Sequence, residues 1–138
     1  MGKTRRELWF LGGFMMHQLQ KKRVYDESET NDGYRILVDR LWPRGVKKEE
    51  LEYDLWAKDI TPSDGIRKAF NHEEDKFGKF KVDYLNELAE NEEADGFIET
   101  VKEQLEEQNV TLLYAAKDTE TNHVVVLIDW LKDHLEMD

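Results

Sequence analysis

No cysteine occurs anywhere in the 138 residues of this chain. That excludes a disulfide framework, a thiolate nucleophile and every zinc site built on Cys ligands. Glycine is sparse, with 8 residues, and proline rarer still, with 2. Gly45 is the only glycine near the loop best suited to hold a phosphate, so neither a P-loop nor a dinucleotide fingerprint is present and the sequence names no cofactor. No Gly-x-Ser-x-Gly elbow surrounds Ser63, which reads as a helix-start residue instead of a nucleophile. Neither His-x-x-x-His nor a spaced acidic cluster of recognised form occurs, so no metal site is expected. No apolar run approaches the roughly 20 residues needed to span a bilayer.

Positive charge is also in short supply. Lys and Arg number 20 against 31 Asp and Glu, a net charge of −11. Such a field repels nucleic acid and anionic membrane unless cations are concentrated locally. One concentration exists, at Arg35, Arg40, Arg44, Lys47 and Lys48. The composition points to an acidic cytoplasmic protein, and the length suits one domain with a single core; the oligomeric state stays open.

The first residues differ from the rest. Met1–Phe14 has a basic start and a short apolar patch but no small-residue cleavage site, which argues against a secretory signal. Leu11-Gly12-Gly13 can be encoded by bases containing AGGAGG, a bacterial ribosome-binding sequence, just ahead of Met15 and Met16. A natural start at Met15 or Met16 is therefore expected, with residues 1–15 an N-terminal extension and 16–138 a single α/β domain.

Within that domain, Gln18–Tyr25 alternates loosely like a strand, and Asp26–Gly33 is turn chemistry throughout. Tyr34–Asp39 is apolar enough for a central strand, stopped by Pro43. Leu51–Ile60 is read as a short strand. Thr61-Pro62-Ser63 opens a helix, with Thr61 as N-cap, running through Ile66 and Phe70. Asn71–Glu90 carries Phe77, Phe80, Tyr84, Leu85 and Leu88 as one buried stripe. A third helix, capped by Asp95, turns Ile98, Val101 and Leu105 inward. Val110–Ala116 reads as a central parallel strand, and a last helix runs from about Asn122 to His134. The expected fold is a three-layer α/β domain with a short, mainly parallel β-sheet flanked by helices.

Two charged loops then follow apolar strands: Asp39–Arg44 and Lys117–His123. In open α/β sheets ligands bind at the carboxyl ends of strands, so these loops are expected to meet on one edge. Arg40 and Arg44, with Lys58 and Arg67, can grip phosphate or carboxylate in two-pronged geometry, or can be consumed by ion pairs with Asp39, Asp59 and Asp118. Asp39 and Asp118 are candidates to share a proton, and His123 is a candidate general acid or base. Trp42 and Trp56 suit the core, Trp42 being the better stacking candidate of the two.

The blocks VDRLWPRG (Val38–Gly45), LWAKDITPS (Leu55–Ser63) and LLYAAKDTETNH (Leu112–His123), with Arg67 and His72, closely resemble the YeaO-like branch of a bacterial family of uncharacterised proteins, the domain of unknown function numbered 488. The resemblance spans Gln18 to the last helix. It implies a small α/β domain of the bacterial cytoplasm with no established activity, and adds His72, Tyr114, Lys117 and Asn122 to the site residues. Lys117 departs from the family, which often carries Arg there; a planar fork becomes a point charge. The expected function is binding of, or action on, an anionic small molecule by Arg40, Trp42, Arg44 and their neighbours, with Asp39, Asp118 or His123 moving any proton. The alternatives are a nucleic-acid module using the Arg35–Lys48 patch and a non-catalytic protein-interaction domain.

Overall fold

Val110–Tyr114 is apolar at nearly every position because it is covered on both sides, and the sheet is built around it. In the computed structural model, which describes residues 17–137, β1 is Leu19–Arg23, β2 is Tyr34–Leu37, β3 is Leu55–Trp56 and β4 is Val110–Tyr114. The order is β1-β4-β2-β3, and all three pairings are parallel. The expectations for residues 1–15, and for a start at Met15 or Met16, lie outside the described residues.

Pleating divides the sheet cleanly. Ile36, Val38, Val110, Leu112 and Tyr114 face the main core, while Leu37 and Leu113 face a smaller cluster with Val24 and Leu51. Both faces are dry there, and burying one such Leu contributes about 1.5–3 kcal/mol.

The helices are α1 (Asp64–Phe70), α2 (Phe77–Glu90), α3 (Ala94–Leu105) and α4 (His123–His134). All four send their apolar side chains to the main core, so they lie against one face of the sheet. The opposite face is covered by irregular chain, in which Trp42, Val46 and Trp56 pack on the smaller cluster. Helices, sheet and irregular chain make the three layers of this α/β fold. Helix α2 buries Phe80, Tyr84 and Leu88 at four-residue spacing. Helix α4 is apolar on most sides because it fills the space between β1 and α2.

Several boundaries differ from the sequence reading. The first helix begins after Ser63, not Thr61: Thr61 instead closes a 3-10 turn, its hydroxyl donating to the Lys58 carbonyl at 2.7 Å. The Ser63 N–H is taken by Glu87 of α2 at 3.0 Å, a tertiary cap with no local signal. Residues 71–76 are not helical throughout, since Asn71 and His72 take φ of 48° and 57° and end α1. Helix α3 starts at Ala94 after Glu93, leaving Asp95 in its first turn, and buries Phe97 more fully than Ile98.

Candidate functional site

The two charged loops do meet. Val38 stays in the sheet by donating to the Leu113 carbonyl at 3.0 Å, and the chain leaves it at Asp39. There, Asp39 Oδ2 accepts the Ala115 N–H at 3.0 Å, and Oδ1 lies 3.2 Å from His123 Nε2. The same Nε2 is 2.8 Å from the Val38 carbonyl. A carbonyl only accepts, so Nε2 carries the hydrogen and donates to it. The Asp39 carbonyl accepts Trp56 Nε1–H at 2.7 Å. One residue thus ties together the carboxyl ends of β2, β3 and β4 and the start of α4.

This clasp limits the chemistry. Asp39 Oδ2 is taken by the Ala115 N–H, Oδ1 lies against an Nε2–H that is given to the Val38 carbonyl, and the Asp39 and His123 side chains are 14% and 17% exposed. A proton could move only through His123 Nδ1, which has no partner among the described residues. Asp39→Ala is expected to orphan the Ala115 N–H and to cost about 1–2 kcal/mol in urea denaturation; a change within about 0.5 kcal/mol would show that the clasp carries no stability.

Arg40 points the other way. Its Nε and Nη2 donate to the carbonyls of Pro62 at 3.1 Å and Thr61 at 3.3 Å, and no ion pair to a carboxylate accompanies them among the described residues. Beneath it, Tyr84 donates to the Ile60 carbonyl at 2.7 Å. Burial and then Glu87 raise that phenol well above its ordinary range, with Arg40 pulling the other way. Arg44 is exposed and contributes only its carbonyl, which accepts the Tyr25 hydroxyl at 3.0 Å. Lys58 Nζ sits 4.3 Å above the Trp56 ring, and Lys117 is exposed without a partner among the described residues. Trp42 donates to the Val46 carbonyl at 2.6 Å and meets Trp56 edge-on at 5.5 Å, so it is braced as a wall and not free to swing.

Other predicted residues lie apart from the clasp. Asp118 turns into its own loop, accepting from the N–H groups of Glu120 and Thr121 and from the Thr121 hydroxyl. The Thr121 hydroxyl, then these N–H groups, hold its carboxyl below the usual range, and no contact pairs it with Asp39. Asn122 is the N-cap of α4, accepting from the Val125 N–H at 3.0 Å. Tyr114 is in the main core, where burial raises its phenol. Arg67 pairs with Asp64 on α1 at 2.8 Å, and His72 is exposed on the turn after α1; no hydrogen bond or ion pair links either to the clasp. Arg35 is not part of a basic surface: it is 5% exposed and paired with Asp32.

Sequence reasoning missed Arg23. Its Nε and Nη2 donate to the Ala116 and Ala115 carbonyls at 3.0 and 2.9 Å, and its guanidinium lies 4.8 Å over the Tyr25 ring. The signal was its place at the end of β1, which acquires meaning only once β1 is known to pair with β4.

Residues 18–138 match the family described as "Inactive DUF488-N3 subclade". The chain belongs to the DUF488 family. This DUF488 protein is 51% identical over 114 residues to the Uncharacterized protein YeaO of Escherichia coli (strain K12), covering 83% of this chain and 96% of that one. It is 39% identical over 66 residues to the Uncharacterized protein Rv3073c of Mycobacterium tuberculosis, covering 48% of this chain and 56% of that one. No solved structure matches it. Among the described residues of this DUF488 chain no helix is long and apolar enough to cross a membrane, and no group of three or more His, Asp or Glu side chains is placed to hold a metal ion.

Proposed function

We propose that this protein is a non-catalytic binding domain for a small molecule bearing phosphate or carboxylate, taken at the carboxyl edge of the sheet. Arg40 carries the reading. It is half-buried, two of its donors are fixed on carbonyls, and no carboxylate pairs with it among the described residues. A fixed guanidinium with donors to spare suits a planar anion, which it meets with little loss of side-chain freedom. Arg44 and Lys117 are exposed cations on the loops of the same edge, and Lys58 is a third, seated over the Trp56 ring. Occupation of the Asp39 and His123 groups by internal hydrogen bonds supports binding over turnover, as does the word "Inactive" in the family's description.

A melting series with inorganic phosphate and with a dicarboxylate tests this, since a ligand that binds only the folded state raises Tm. Excluded salts also stabilise any protein, so the comparison is between variants at equal ionic strength. The wild type should gain more than Arg40→Gln, and Arg40→Lys should recover little of the difference. Equal gains in all three proteins would overturn the reading.

A protein-interaction role draws on a different observation, the exposure of Leu41 (67%) and Tyr25 (49%) beside the same loop. One stoichiometric partner lost in Leu41→Ser, without any response to anions, would favour it. The nucleic-acid alternative loses ground because Arg35, the first member of its basic patch, is 5% exposed and so lies off the open surface that a phosphate backbone would meet.

A further inference from the structure

A hollow of about 690 Å³ opens on the helix-free side of the sheet, lined among others by Glu29, Gly33, Arg35, Glu52, Tyr53 and Asp54. We propose that it binds a basic α-amino acid, with the carboxylate of the ligand on Arg35 and its cationic side chain on Glu52 and Asp54. The volume is that of small-molecule sites. The hollow is separate from the carboxyl-edge loops, so this inference does not rest on the anion-binding reading.

Arg35 supplies the first half of the argument. It is 5% exposed, with Nε donating to the Glu52 carbonyl at 2.6 Å and Nη1 to Asp32. Nη2 makes no hydrogen bond among the described residues. Yet no sealed side-chain nitrogen or oxygen there lacks a partner, so Nη2 is not sealed, and Arg35 is one of the residues that line the hollow. It is a donor held rigidly from behind and free in front, which calls for an acceptor oxygen on the ligand.

The charge around it supplies the second half. Lys22 and Arg35 face the carboxylates of Glu29 and Asp32 in ion pairs, which leaves Glu52 and Asp54 as the excess. The Glu52 carboxylate has no partner among the described residues, and Asp54 uses Oδ2 on the Arg35 N–H at 2.9 Å. A bare anion would meet this excess as repulsion, and a bare diamine would leave Nη2 unanswered. Tyr53 also lines the hollow, 38% exposed and held edge-on against Trp42 at 5.7 Å, a surface for an aliphatic stem or a guanidinium face.

The test is a titration of the isotope-labelled full chain with L-arginine and L-lysine, followed by NMR. Saturable shifts confined to the amides around Gly33, Arg35 and Tyr53–Asp54 are expected. Argininamide, which lacks the carboxylate, should bind about tenfold more weakly, as should L-arginine to Glu52→Gln. That variant should keep its fold, because the carboxylate replaced makes no hydrogen bond or ion pair among the described residues. Absence of saturable shifts, equal binding of arginine and argininamide, or an unchanged affinity in Glu52→Gln would each overturn the proposal.

Discussion

Gly33→Ala is expected to destabilise the protein by at least about 3 kcal/mol and to lower Tm by on the order of 10 °C. Gly33 leaves the 3-10 turn Thr30–Asp32 with φ 67° and ψ −129°, a region essentially reserved for glycine. A Cβ built there would lie 2.0 Å from the Asn109 carbonyl oxygen and 2.7 Å from its carbon. Those atoms cannot retreat, because the same carbonyl accepts the Tyr34 N–H at 2.8 Å and sets the register in which Tyr34 faces Val110. Strain and collision therefore act together at the first rung of the central strand pair. Gly45→Ala separates the two terms: Gly45 has φ 79° but nothing within 4 Å of its added Cβ, so it should cost only about 1 kcal/mol. Thermal and chemical denaturation of both variants decide the matter, and similar losses at Gly33 and Gly45 would mean that the two strands do not approach as described.

The same segment separates what a reader of the sequence can extract from what only folding supplies. Ile36, Leu37, Val38 and Val110–Tyr114 are recognisable because a central parallel strand is dry on both faces, which removes polar residues from it. The stripe Phe80–Tyr84–Leu88 is recognisable for the analogous helical reason. Arg35 defeats such reading. Alternation puts it on the opposite face from Tyr34 and Ile36, where a charge is ordinarily solvated, yet irregular chain covers that face and Asp32 neutralises the charge. The helix start at Ser63 fails for a related reason, since its cap is Glu87, 24 residues away.

The carboxyl-edge site divides in the same manner. That the loops after Asp39 and Ala116 share an edge follows from the rule for open parallel sheets, and the Asp39–Ala115 hydrogen bond bears it out. Whether a given side chain faces ligand or backbone depends on local turn chemistry and strand order. Asp118 followed by Thr-Glu-Thr is a turn that feeds on its own N–H groups. That signal was present in the sequence and argues for loop shaping at this position. Arg23 reaches the edge only because β1 pairs with β4, a fact of topology that no local pattern encodes.

Asp32→Ala is expected to be as damaging as any single change on the helix-free face, at about 3–5 kcal/mol, the range for breaking a buried pair from one side. Asp32 is 2% exposed. It accepts from Lys22 at 2.8 Å, from Arg35 and from the Glu29 N–H at 3.0 Å, while its carbonyl accepts the Thr111 hydroxyl at 2.7 Å. Removing the carboxylate leaves Arg35 charged and nearly sealed. The size of the loss should therefore come from the stranded cation more than from the lost bonds, and Asp32→Leu combined with Arg35→Met should cost less than Asp32→Ala alone. Acid should repeat the experiment without mutation. Burial raises the Asp32 carboxyl, but the bonds from Lys22, the Glu29 N–H and Arg35 outweigh it and leave the group below its ordinary 3.8. A carboxyl lowered by folding contributes fully above its unfolded value and loses that contribution as pH falls through the folded one. The wild type should accordingly lose stability below pH 3.8 with a steeper slope than Asp32→Asn. Lys22 gives the opposite flank: burial lowers its ammonium, yet its bonds to Asp32 and Glu29 raise it above 10.5, so its contribution holds below 10.5 and fades as pH climbs through the folded value. Denaturant titrations at both extremes would expose the network, and parallel acid slopes for wild type and Asp32→Asn would show that Asp32 does not anchor it.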